Sequence, residues 1–145
     1  MRGFWGLFSK KTSKKSQMKS YLIDTNYILR FLLKDPPLQS KTVREYFNEA
    51  KLGKISIWVS IIVFVELNFA LMKFYRLDKS EIIDKLAFIA QIPYLEIEMR
   101  EILLRALNIY AKSSLEFVDS IFLAQSQISG KDLLTFDQKL KKFKL

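Results

Sequence analysis

With 145 residues, half of them apolar and 14% aromatic, the chain is long enough for one well-packed domain and too hydrophobic to be disordered. It contains no cysteine and no histidine, which excludes disulfides, thiolate metal sites and every Ser-His or Cys-His nucleophile, and fits a reducing compartment such as the cytoplasm. An enzyme of this composition must work through carboxylates, and any metal they hold would be a hard cation, Mg²⁺ or Mn²⁺ before Zn²⁺.

The formal charge of +9 suggests a polyanionic partner, but it is unevenly spread. Arg2, Lys10, Lys11, Lys14, Lys15 and Lys19 lie in the first 20 residues, which hold no acid, whereas the remaining 125 residues carry 18 basic against 15 acidic side chains. Residues 1–18 therefore read as a basic, disordered N-terminal arm. Its sharper uses would be nucleic-acid binding or a shallow membrane contact through Phe4, Trp5 and Phe8, too little apolar surface for stable insertion. "MKSYLIDTN" from Met18 would also make a complete beginning.

From residue 19 to 145 short strands alternate with longer helices. "SYLI" (20–23) predicts a strand that ends at Asp24, and "TNYILRFLL" a helix broken by Pro36 and Pro37. Residues 38–53 are amphipathic, with Val43, Tyr46, Phe47 and Ala50 on one face and Gly53 as a stop. "KISIW" (54–58) is a second strand, after which Ser60 can cap a helix running to about Tyr75. Asp78 with Glu81 marks a capping box for a helix over 78–92, closed by Pro93. "YLEIE" (94–98) is a third strand, 99–113 and 115–130 two further helices, and "DLLT" (132–135) a fourth strand before a lysine-rich end. Such alternation predicts an α/β domain with a central parallel sheet of four or five strands flanked by helices, in three layers. The longest apolar run, from Ile55, is interrupted by Ser56, Ser60, Glu66 and Asn68, so neither a membrane span nor a cleavable secretory signal is expected.

Functional groups of an open parallel sheet gather beyond the carboxyl ends of its strands. Asp24 stands directly after the first strand, and Asp137 two residues past "DLLT". Glu66 and Asp119 sit in apolar helices, where Val118, Ile121 and Phe122 should face the core. Each acid has a plain alternative: Asp24 (or Thr25 beside it), Asp119 or Asp137 as a helix cap, Glu66 as the partner of Lys73 or Arg30. Together, four acids in a chain without histidine call for a shared cation, because carboxylates brought together repel until a divalent ion neutralises them.

"YLIDTN", "VSIIVFVELNFAL", "FVDSIFLAQ" and "LLTFD" resemble, in order and spacing, the four motif blocks of PIN-domain ribonucleases, and most closely the short VapC-type toxins of type II toxin–antitoxin pairs. The resemblance runs from Lys19 to the C-terminus and leaves out the arm. It implies that Asp24, Glu66, Asp119 and Asp137 are the catalytic, metal-binding acids, with Asn26 as an accompanying polar group. Thr25 and Thr135 would steady the acids beside them, and Glu116 would assist. It further implies an endoribonuclease using Mg²⁺ or Mn²⁺ on an RNA substrate, a homodimer, and an antitoxin protein that covers an apolar groove. Phe69, Phe74 and Tyr75 would serve either protein surface, with core packing as their default. The lysines of "KLKKFK" would hold the RNA backbone or simply form a solvated helix end.

Rival readings differ in what they need. A haloacid-dehalogenase-type phosphatase requires a second Asp two residues after the first, where this chain has Asn26. A non-catalytic RNA-binding module has no use for acids in apolar helices. A PIN nuclease of RNA processing or DNA repair would share the site and differ only in substrate and partner.

Overall fold

The computed structural model describes residues 18–143, so the N-terminal arm expected over residues 1–18 lies, but for Met18, outside the described residues. Three parallel strands, β1 (Lys19–Leu22), β2 (Ile55–Val59) and β3 (Glu96–Ile97), form one sheet in that spatial order. Lys19 pairs with Ile55 and Leu22 with Trp58, while Val59 pairs with Ile97. Ile23 extends the first ladder, its N–H donating to the Trp58 carbonyl at 3.1 Å.

Seven helices connect and follow the strands: α1 (Thr25–Leu33), α2 (Pro37–Lys51), α3 (Ile61–Lys73), α4 (Lys79–Ala90), α5 (Arg100–Lys112), α6 (Phe117–Ser129) and α7 (Gln138–Lys142). Their boundaries follow from local chemistry. Asp24, Ser60, Asp78 and Asp137 each accept a backbone N–H from the first turn of the helix that follows. Pro37 opens α2 where its missing N–H costs nothing, and Gly130 closes α6 at φ +68°, a conformation that favours glycine.

The sheet faces are unequal. Ile23, Ile55, Ile57, Val59 and Ile97 are buried with helix residues such as Phe47, Phe64, Leu67, Leu103 and Phe117 in one core. Residues of the other register are less evenly covered, with Ser56 buried but Leu22 79% and Trp58 40% exposed.

The sheet also has three strands rather than four or five. Residues 131–137, including "DLLT", form no strand; Leu133 instead packs into a small second cluster with Leu115, Leu123 and Leu140, while Leu134 projects into solvent. A short apolar run becomes a strand only where a neighbouring strand accepts its backbone, and here Leu133 alone finds a packing partner. β3 is likewise two residues long rather than the five expected.

Candidate metal centre

β1 delivers its chain to Asp24 at the carboxyl edge of the sheet. The side chain caps α1, Oδ1 accepting the Tyr27 N–H at 2.9 Å, so the plain cap and an edge carboxylate are the same residue. Asp24 is exposed, with no further hydrogen bond to it among the described residues. Thr25 turns across the cleft and donates its hydroxyl to Oε2 of Glu66 at 3.2 Å, rather than to the adjacent Asp24. Asp24, Thr25, Asn26 and Glu66 line one open cleft of about 720 Å³, whose remaining wall is apolar and includes Val63, Phe69, Phe74 and Tyr75.

Glu66 is not enclosed by α3 as its apolar neighbours suggest. It lies on the open side of that helix, as do Ile62 and Phe69, while Val63, Phe64, Leu67 and Leu71 fill the core. No ion pair with Arg30 forms; that guanidinium donates to Gln39 at 2.9 Å and to the Asp35 carbonyl at 3.4 Å. Phe69, Phe74 and Tyr75 are exposed rather than packed in the core.

Asp119 and Asp137 form a second acidic pair. Asp119 is half-buried in the first turn of α6, three residues after the capping position held by Glu116. Burial, followed by the charges of Asp137 and Glu116, pushes the Asp119 carboxyl above its ordinary value, and Lys139 partly offsets this. Only Ile121 of its expected core neighbours is buried; Val118 and Phe122 are 41% and 46% exposed. Asp137 is exposed and caps α7 by accepting the Lys139 and Leu140 N–H groups, and the Thr135 hydroxyl accepts the Asp137 N–H at 3.0 Å. On α7 itself Leu140 is buried and Lys139, Lys141 and Lys142 are exposed, as is Phe143 after it; Lys144 and Leu145 lie outside the described residues.

The four acids thus stand as two pairs, Asp24 with Glu66 and Asp119 with Asp137. α3 and α6, which carry one member of each, touch. Among the described residues no three Asp or Glu side chains come together closely enough to hold one metal ion, so the single shared cluster expected from sequence is not confirmed. Two of the carboxylates, Asp24 and Asp137, cap helices, each through its Oδ1.

Sequence reasoning missed Glu98. It follows β3, its N–H donates to the Val59 carbonyl, and its Oε2 accepts both the Ser60 hydroxyl and the Ile61 N–H at 2.8 Å. It therefore fixes the start of the helix that carries Glu66. The signal was its place at the carboxyl end of "YLEIE", the position already used to single out Asp24.

A family model described as PIN domain matches residues 21–144. The chain belongs to the PIN-domain family. No curated protein and no solved structure matches it. PIN domains are generally nucleases that bind divalent metals, and the donor chemistry of this one suits such an ion. Its candidate ligands are all carboxylate oxygens, and Asp119 already bears the repulsion of two neighbouring acids that a divalent cation would relieve. Asp24, Glu66, Asp119 and Asp137 are the residues of this PIN domain that could hold it. No helix among the described residues is long and apolar enough to cross a membrane.

Proposed function

We propose that this PIN domain is a divalent-metal-dependent endoribonuclease and the toxin of a cytoplasmic toxin–antitoxin pair. What supports the nuclease part of this reading is the family match over residues 21–144, in a chain with no histidine whose Asp24 stands at the edge of a parallel sheet. Asp24 and Asp119 would hold a Mg²⁺ or Mn²⁺, with Asp137 and Glu66 as the further carboxylates available to it. The chemistry such an ion supplies when bound is Lewis acidity toward water and the phosphoryl oxygens.

The protein's own groups do the rest. The α1 cap fixes the Asp24 carboxylate, and the Thr25 hydroxyl orients Glu66 toward the same cleft. Glu66, exposed there, is the carboxylate best placed to accept a proton from the attacking water, a role that falls to an acid when histidine is absent. Thr135 steadies the turn that presents Asp137, Glu116 adds negative charge beside Asp119, and Asn26 is a polar contact in the cleft.

Exposed apolar side chains on α3 and α6, Ile62, Val118 and Phe122 among them, suit burial against proteins, namely a second copy and an antitoxin. Purified protein should cleave RNA with Mg²⁺ or Mn²⁺, should stop in EDTA, and should fail as Asp24→Asn or Asp119→Asn while the circular dichroism is unchanged. Cleavage that survives both substitutions would refute the assignment. Coexpression with the product of the neighbouring reading frame, followed by copurification and loss of cleavage, separates a toxin from a processing enzyme.

A further inference from the structure

We propose that the turn after α3, Lys73–Phe74–Tyr75–Arg76, is a base-stacking platform that makes the cleft selective for single-stranded RNA; the proposal rests on the nuclease reading above. Phe74 is 72% and Tyr75 41% exposed, an unusual placement for two consecutive large aromatics. Both line the cleft that contains Asp24 and Glu66, and Phe69 meets Phe74 edge-to-face at 6.0 Å, so the aromatic wall and the candidate metal centre share one continuous surface.

Lys73 and Arg76, exposed on either side of the aromatic pair, supply positive charge where a phosphate backbone would run. Aromatic faces interleaved with cations next to a phosphodiester site fit an unstacked nucleotide chain. A duplex keeps its bases stacked on each other and has no face to offer.

The turn is also built to hold this shape. The Phe74 and Tyr75 N–H groups both donate to the Ala70 carbonyl, and the Leu77 N–H to that of Leu71. Leu77 packs against the core, and Asp78 caps α4 immediately afterwards. This closure requires Arg76 at φ +53°, a position that favours glycine.

Full-length protein in EDTA, where it does not cleave, is titrated into labelled single-stranded RNA of about 12 nucleotides and into the matching duplex, followed by anisotropy. Phe74→Ala with Tyr75→Ala should weaken single-strand binding roughly 5- to 150-fold and leave duplex binding unchanged. Phe74→Trp should bind like the parent, with an indole emission quenched by the single strand. Lys73→Gln with Arg76→Gln should reduce the salt dependence, which the aromatic variant keeps. Equal single-strand affinity of the alanine variant, or an unquenched Phe74→Trp, overturns the proposal. So does a dimer that becomes monomeric in the alanine variant, since the face would then join two copies. Stacking by a protein that cleaves no RNA in Mn²⁺ would remove the nuclease reading and keep the platform. Cleavage with KM unchanged in the alanine variant would remove the platform alone.

Discussion

The Thr25 hydroxyl donates to Oε2 of Glu66 across 3.2 Å, joining the first residue of α1 to the middle of α3, 41 positions further along the chain. One exposed hydrogen bond of this kind adds little to stability, on the order of 0.5–1 kcal/mol. Its consequence lies in orientation, because it sets where an acid on one helix points relative to an acid at the edge of the sheet. Thr25→Val should therefore leave the melting temperature within about 3 °C of the parent while lowering kcat for RNA cleavage several-fold. Thr25→Ser, which keeps the donor, should restore most of it. Steady-state cleavage kinetics beside thermal melts separate the two effects.

Asp119 should trade stability against activity. Its carboxyl is raised by burial and by Asp137 and Glu116, so just above the ordinary carboxylate range the folded state binds more protons than the unfolded state. The contribution of this group to stability then falls as pH rises through that window and stays low at neutral pH. Asp119→Asn removes the penalty. In metal-free buffer at pH 7 the variant should melt higher than the parent, and with Mg²⁺ or Mn²⁺ supplied it should show no cleavage. The gain should vanish at pH values where Asp119 is protonated in the parent. A variant that melts lower at every pH would mean that the carboxylate contributes to the fold.

Glu98 should matter more to the fold than its place after a two-residue strand suggests. Its carboxylate accepts from both Ser60 and Ile61 at the start of α3. Glu98→Ala leaves those donors without their partner and removes a negative charge from a helix N-terminus, at a cost of about 1–3 kcal/mol. Glu98→Gln keeps an acceptor and should cost less than half as much. Urea unfolding of the two variants measures the difference.

Arg100 closes the segment between α4 and β3. Its guanidinium donates to the Ala90 carbonyl at 2.7 Å, to that of Ile92 at 2.9 Å, and to that of Leu95. A lysine cannot reach three carbonyls with a planar fork, so Arg100→Lys should destabilise by about 1–3 kcal/mol. Hydrogen exchange should locate the added opening at residues 90–97 rather than at the cleft.

The helices were legible because their ends are written in side chains. Asp24, Ser60 and Asp78 cap where the sequence placed them, and Gly130 closes α6. The sheet was less so, since "DLLT" and "YLEIE" carry strand-like composition but cannot show which neighbour will pair with them; Leu133 went to a helical cluster instead. Glu66 and Asp119 were singled out because acids stood in apolar helices. That reasoning overestimated burial, since α3 and α6 each keep an open side on which Ile62, Phe69, Val118 and Phe122 also lie. Glu98 escaped notice because its value depends on a helix N-terminus that only the folded chain brings to it.

The central claim is that Asp24 and Asp119, one from each acidic pair, are both needed to hold the metal. Calorimetric titration of Mn²⁺ into the full-length protein, into Asp24→Asn and into Asp119→Asn tests it without any assumption about substrate. Binding by the parent that is abolished in both variants is the predicted result, since each removes a ligand from a different pair. Undiminished binding in either variant, or no binding by the parent, would contradict the account.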